Sequence, residues 1–215
     1  MSAAAEQPAA RKKAVRPRDA ASLVLLRQGR AGTEVLMGKR ATRHKFLPDV
    51  YVFPGGRVDA RDTHVKPLRP LPAAVNAAIA STCSPARAQA LAVAAVRETL
   101  EETGLVLGEL AGEVFRPDLG GLRYLARAIT PSASPIRFHA RFLLADAAGA
   151  KGELGGSGEL LDLAWRTLEQ SMRLPLADIT EFLLGELQRR VIADDWSGPV
   201  PFWGYRRGIA RVRHS

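Results

Sequence analysis

Arg97-Glu98-Thr99-Leu100-Glu101-Glu102-Thr103-Gly104 places three carboxylates and a guanidinium on about two helical turns and then stops at glycine. At roughly 100° per residue, Arg97, Glu98, Glu101 and Glu102 fall within an arc of about 140°, beside an apolar stripe of Val93, Val96 and Leu100. One face anchors the helix while the acids of the other converge. Close carboxylates repel, and like charge pushes some of them toward protonation unless a cation sits among them. Oxygen donors with no Cys or His beside them favour a hard ion, Mg²⁺ or Mn²⁺, over zinc. Arg97 can brace one acid through a forked hydrogen bond and leave the others free. The same spacings also make ordinary ion pairs on a solvated helix face, so the octet alone leaves both readings open.

Upstream, Ser84 offers an N-cap and Pro85 an N1 residue, so the helix should run through Ala86 to Thr103 and stop at Gly104. Residues 59–83 have a different texture: Pro67, Pro70 and Pro72 break the early part, and Ala73 to Ala80 reads as a short helix, together an inserted segment. Before it, Val50-Tyr51-Val52-Phe53 is a strand candidate ending at Pro54-Gly55-Gly56, where two glycines allow close backbone approach to a ligand. Residues 22–26 and 33–37 read as a β-hairpin around the Gly29 to Gly32 turn. Downstream, 122–129, 138–145 and 160–165 are strand candidates and 179–190 a closing amphipathic helix. Strands mixed with two main helices predict a layered α/β domain over 20–195, between a flexible basic leader (1–19) and a basic aromatic tail (196–215).

With 215 residues and 47% hydrophobic content the chain can bury one substantial core. Its formal charge of +9 suits an anionic partner. Much of the excess lies at the ends, with Arg11, Lys12, Lys13, Arg16 and Arg18 in the leader and Arg206, Arg207, Arg211 and Arg213 in the tail. No zinc-finger spacing or aromatic RNA-binding signature accompanies them, which argues against nucleic acid as the partner. Cys83 is the single cysteine, so no intrachain disulfide forms, and a reducing, cytoplasmic setting is expected. No apolar run is long enough to span a bilayer, so no membrane partner is expected.

Pro54-Gly55-Gly56 joined to a helix carrying Arg97-Glu98-x-x-Glu101-Glu102-x-Gly104 resembles the Nudix hydrolase family, whose signature is G-x5-E-x7-R-E-U-x-E-E-x-G-U, with Leu100 and Leu105 in the two aliphatic places. The departure is spacing, because Gly56 lies much farther from Arg97 than that signature allows. Counting forward from Gly56 puts Asp62 at the first glutamate, and counting back from Arg97 puts Gln89 there; Asp62 is the preferred of the two. The long spacing itself resembles the insert-containing branch similar to peroxisomal coenzyme A diphosphatases. Further matches are Arg40 with Phe46-Leu47-Pro48, Arg127-Ala128-Ile129-Thr130-Pro131, and Arg137-Phe138-His139-Ala140-Arg141-Phe142. The likeness covers about residues 20 to 190.

That resemblance implies a Nudix α/β/α sandwich with a mixed β-sheet and a helical insert within the Nudix box. It also implies Mg²⁺- or Mn²⁺-dependent hydrolysis of a diphosphate linkage in a small-molecule nucleoside diphosphate derivative, with coenzyme A or an acyl-CoA among the candidates. Glu101 and Glu102 are the expected metal ligands, Glu98 a base or further ligand, Arg97 the group that orients them, and Gly55 or Gly56 a source of a backbone carbonyl. Glu159 and Glu153 are candidates for an additional carboxylate, each equally readable as a loop acid beside glycines. Arg40, Arg137, Arg141 and His139 are candidate substrate contacts; Arg137 and Arg141 share one side of a strand by their i, i+4 spacing. The competing reading is a noncatalytic Nudix-fold sensor or adaptor for a nucleotide metabolite. A homodimer is left open.

Overall fold

The computed structural model describes residues 15–43, 47–206 and 208–214. Arg11, Lys12, Lys13, Phe46 and Arg207 lie outside the described residues. The strands, in chain order, are β1 (Arg18–Gly29), β2 (Gly32–Arg40), β3 (Tyr51–Val52), β4 (Gly55–Arg57), β5 (Gly108–Ala111), β6 (Val114–Pro117), β7 (Arg123–Ile129), β8 (Phe138–Asp146), β9 (Leu160–Thr167), β10 (Pro201–Arg206) and β11 (Ile209–His214). The helices are α1 (Ala73–Ala80), α2 (Pro85–Thr103), α3 (Leu168–Met172) and α4 (Asp178–Ala193), with a short 3-10 helix at Ala60–Thr63.

Among the described residues nine strands form one mixed sheet in the order β11-β10-β7-β8-β1-β2-β3, with β4 also on β1 and β9 also on β2; β5 and β6 make a separate hairpin. β1 is the centre. Its period-two alternation puts Leu23 and Leu25 on one face and Val24 on the other, each fully buried. The first face packs on α2 through Leu91, Val93 and Val96, and the second on α4 through Leu183, Leu184 and Leu187. The result is the helix-sheet-helix layering expected from the sequence, with an apolar core on each side of the sheet.

The expected hairpin extends to β1 and β2, and the helix begun by Ser84 and Pro85 ends at Gly104 as anticipated. Ser84 Oγ accepts the Arg87 backbone N–H at 3.2 Å, and Gly104 stops the helix in the left-handed conformation at φ 75°. The strand expected over 50–53 is shorter, and its shortness has a cause. Val52 pairs with β2, whereas Gly55 and Gly56 pair with β1, so the chain changes partners across Phe53-Pro54. Proline suits that exchange because it has no N–H to leave unpaired, and its carbonyl accepts the Leu23 N–H at 2.9 Å.

Segment 59–83 is stitched into the body, since Leu71 and Ile79 are buried in the core beneath α2. The segment read as a basic aromatic tail enters the sheet instead, β10 lying parallel to β7 through Phe202 and Trp203 and β11 returning along β10. Trp203 also packs on Phe182 of α4, with ring centroids 4.7 Å apart. Among the described residues no helix is long and apolar enough to cross a membrane.

The cap on α2 gives a direct test of this assignment. Ser84→Ala removes one hydrogen bond at the start of the helix and should cost about 1 kcal/mol. A thermal melt followed by circular dichroism should then show a midpoint lower by roughly 2–4 °C.

Candidate active site

The acids of α2 meet the Gly55-Gly56 turn because β4 lies beside β1 directly under the C-terminal half of the helix. Gly55 N–H donates to Glu102 Oε2 at 2.8 Å. The Glu98 carboxyl lies so close over Gly56 that a Cβ there would stand 2.3 Å from its Cδ, and only glycine leaves that space. Two glutamates one turn apart therefore share a single backbone turn.

Arg97 organises the rest. Its Nε and Nη2 donate to Asp62 at 2.9 and 3.2 Å, its Nη1 to Glu98 at 2.9 Å and to Glu101 at 3.1 Å, and its Nη2 also to the Arg57 carbonyl at 3.1 Å. Asp62 is 1% exposed and also accepts the Asp59 N–H at 2.7 Å. The forward count from Gly56 thus lands on a residue in direct contact with Arg97. Gln89 sits two turns earlier on α2, with no such contact to Arg97.

The electrostatics are those of crowded carboxylates. Burial pushes Glu102, 4% exposed, up to about 8; Glu98 and Glu159 push the same way, while the Gly55 N–H and Arg40 oppose it. Burial likewise lifts Glu98 above the usual carboxylate range despite the adjacent Arg97. Burial would push the Arg97 guanidinium down, yet its bonds to Asp62 and the charge of Glu98 hold it above its ordinary value. An all-oxygen donor set with uncompensated negative charge fits a hard divalent cation in its chemistry. Among the described residues, however, no three His, Cys, Asp or Glu side chains are gathered into a closed metal cage. Glu101 instead reaches toward Arg97 and, at 4.0 Å, toward Arg61.

The remaining candidates divide. Arg40 and Glu159 act electrostatically on Glu102, and they lie together because β2 ends beside the start of β9, where the Ala41 N–H meets the Glu159 carbonyl at 3.2 Å. Glu153 passes the end of α2 with its backbone carbonyl beside Gly104. Arg137 precedes β8 and donates to the Thr130 and Val15 carbonyls, so it does not share a strand face with Arg141. Arg141 is 1% exposed and donates to Asp19 at 2.5 Å and to Thr82 at 3.2 Å. His139 stands beside Asp19 and Arg127, away from the acids, because the start of β8 pairs with the start of β1 in the register Asp19↔His139. Asp19 and Thr82 were not singled out in the sequence, where nothing local marks their pairing with a residue of β8.

No family model matches the chain. Among solved structures, the crystal structure of a Nudix hydrolase from Alicyclobacillus acidocaldarius is 29% identical, with a TM-score of 0.60, over 83% of this chain and 92% of that one. The structural neighbours of the chain are Nudix hydrolases. A second Nudix structure, the Nudix domain of Shewanella oneidensis NrtR complexed with ADP ribose, shares the fold at 16% identity and a TM-score of 0.52, over 87% of this chain and 94% of that one. Among curated proteins, acyl-coenzyme A diphosphatase NUDT19 of Gallus gallus is 34% identical over 95 residues. That match covers 34% of this chain and spans 25% of the length of NUDT19. In this chain the Nudix-like box is split, and the Arg97 to Asp62 contact joins its two halves.

Two tests follow from this geometry. Asp62→Ala leaves a buried guanidinium short of its anion and should lower stability by about 3–5 kcal/mol, while Asp62→Asn, which keeps one acceptor, should cost less. Urea denaturation of the two variants ranks them, and equal stability to the wild type would remove Asp62 from the network. For His139, burial, with Arg141 and Arg127 adding to it and Asp19 opposing, lowers the pKa to about 4 from an ordinary 6.5. The unfolded chain then takes up the proton first, so this contribution to stability is complete above about 6.5 and is lost as pH falls toward 4. His139→Gln should reduce the loss of stability between pH 7 and pH 5 in the same denaturation assay.

Proposed function

We propose that the chain is a metal-dependent diphosphohydrolase that cleaves the diphosphate linkage of a nucleoside diphosphate derivative, with coenzyme A and its acyl esters as the first substrates to examine. The observation that carries this reading is the junction of Glu98 and Glu102 over Gly55-Gly56, held by Arg97 and completed by Asp62. The partial likeness to NUDT19, named an acyl-coenzyme A diphosphatase, supports the choice of substrates.

In this reading Glu98, Glu101 and Glu102, with a carbonyl of Gly55 or Gly56 and Glu159 as the further carboxylate, hold Mg²⁺ or Mn²⁺. The bound ion supplies charge neutralisation at the phosphate oxygens and lowers the pKa of a water. Arg97 binds one oxygen of Glu98, Oε1, and leaves Oε2 to accept a proton from that water. Arg97 is a positioning residue, fixed from behind by Asp62. Arg40, which feels the charges of Glu102 and Glu159, is in this reading a contact for a phosphate oxygen.

A noncatalytic nucleotide-binding role is the second reading, favoured by the turn of Glu101 toward Arg97 and Arg61. One experiment separates them. Coenzyme A, an acyl-CoA, ADP-ribose, a dinucleoside polyphosphate and a nucleotide sugar are incubated with the protein and Mg²⁺ or Mn²⁺, and the phosphorus-containing products are identified. Hydrolysis abolished by a chelator, and reduced by about 10²-fold or more in Glu101→Gln or Glu102→Gln with an unchanged circular dichroism spectrum, is the expected result. Metal binding with no product from any compound would select the sensor.

A further inference from the structure

Beside the acid cluster, across the wall formed by Arg57, Val58 and Asp59, lies a cavity of about 790 Å³ that the reaction above does not use. Its character is the opposite of the acid site. Arg16, Arg18, Arg57, Arg87 and Arg141 line it, with His139, Thr82 and Cys83, and among the described residues its carboxylates are Asp19 and Asp59. Asp19 is already committed to Arg87 at 2.9 Å and Arg141 at 2.5 Å, and Asp59 faces Arg61 at 3.4 Å. Arg16, Arg18 and Arg57 have no side-chain hydrogen bond or ion pair to another of the described residues.

Three uncommitted guanidiniums around one concavity form a positive focus, whereas solvated arginines on a convex surface point apart. The floor is built: Arg141 is almost wholly buried, and its Nε has no acceptor among the described residues. His139 reports the same field, since Arg141 and Arg127 add to burial in holding the imidazole neutral. Guanidinium forks match the tetrahedral oxygens of phosphate in pairs, and a dianion satisfies more of these donors than a carboxylate can. The volume is that of a small-molecule site.

We propose that this arginine-lined cavity is a second, phosphate-binding site, taking a dianionic phosphate group either free or as the phosphomonoester of a small molecule. Arg57 connects the two sites, its carbonyl accepting from Arg97 while its side chain faces the cavity. The binding itself does not depend on the hydrolytic reading, although a phosphate held here beside the acid cluster would suit a substrate with a phosphate beyond its diphosphate.

The test is isothermal titration of the full chain carrying Glu101→Gln with inorganic phosphate, AMP and adenosine, at ionic strength held constant with chloride. Saturable binding of phosphate or AMP is expected, weakened tenfold or more by Arg16→Ala and by Arg57→Ala and unchanged by Arg30→Ala, which lies in the β1–β2 turn outside the cavity. All three arginines are exposed, so these truncations leave the folded core intact. AMP binding at least tenfold tighter than phosphate identifies a phosphomonoester as the occupant, and equal affinities identify free phosphate. Absence of saturable binding, adenosine binding as well as AMP, or equal losses from Arg30→Ala and Arg57→Ala would overturn the proposal. Because turnover is absent from this assay, its outcome is independent of whether the wild-type chain hydrolyses a diphosphate.

Discussion

The Arg97 guanidinium is the joint on which the site depends. It reaches Asp62 in the inserted segment, the Arg57 carbonyl at the end of β4, and Glu98 and Glu101 on its own helix. A guanidinium buried to this degree would be costly if any large part of its donor set were unmatched, so each acceptor is held in place by the demand of the others. Such a network contributes geometry more than net stability, because the desolvation of its charges offsets much of their attraction. What it secures is the position of Glu98 over Gly56, where an added Cβ would stand 2.3 Å from the Glu98 Cδ.

This explains how the box tolerates an insertion. In an uninterrupted box, chain spacing alone would deliver the first acid to the arginine; here the segment from Asp59 to Cys83 intervenes, and a side-chain contact closes the gap. The 3-10 turn at Ala60–Thr63 makes that possible by holding Asp62 against its own Asp59 N–H, so that both carboxylate oxygens also remain directed at Arg97. Leu71 and Ile79 then carry the rest of the insert back into the core under α2. The acid can therefore arrive from a sequence distance of 35 residues without loss of register.

Legibility in the sequence followed the range of the interactions. The acid octet, the Ser84 cap, the Gly104 stop and the β1–β2 hairpin are set by contacts within a few residues, and each was readable from spacing and turn chemistry. The layering was readable too, since strands mixed with two main helices predict a layered α/β domain, and the continuous apolar run Leu23-Val24-Leu25 is buried on both faces of the sheet. The β5–β6 hairpin was missed because its strands are largely exposed and show no apolar alternation. β10 and β11 were missed because their aromatic residues Phe202, Trp203 and Tyr205 are followed by a run rich in arginine, which resembles a solvated tail until β7 is supplied as a partner. The separation of Arg137 from Arg141, and the contact of Arg141 with Asp19 across 122 residues, depend on where β8 begins and which strand it joins. No local pattern encodes either.

Glu101 and Glu102 occupy the last turn of α2, where aligned peptide dipoles present negative partial charge, and no basic residue in that turn offsets it. The helix field therefore acts in the same sense as burial and the neighbouring Glu98, against ionisation of Glu102. The Gly55 N–H supplies one compensation and Arg40 another, but Glu102 remains raised in spite of both. A stable surface helix would put cations at this end. Placing carboxylates there is a local disadvantage that propensity and capping do not repay, and a small multivalent cation is the kind of group that would offset it at short range. The arginines around Asp19 show the complementary choice at the other half of the same helix, where Arg87 stands opposite Asp19 and the excess charge is positive. The fold thus keeps acids and bases on either side of one strand end, β4, so that a negative and a positive site adjoin without neutralising one another.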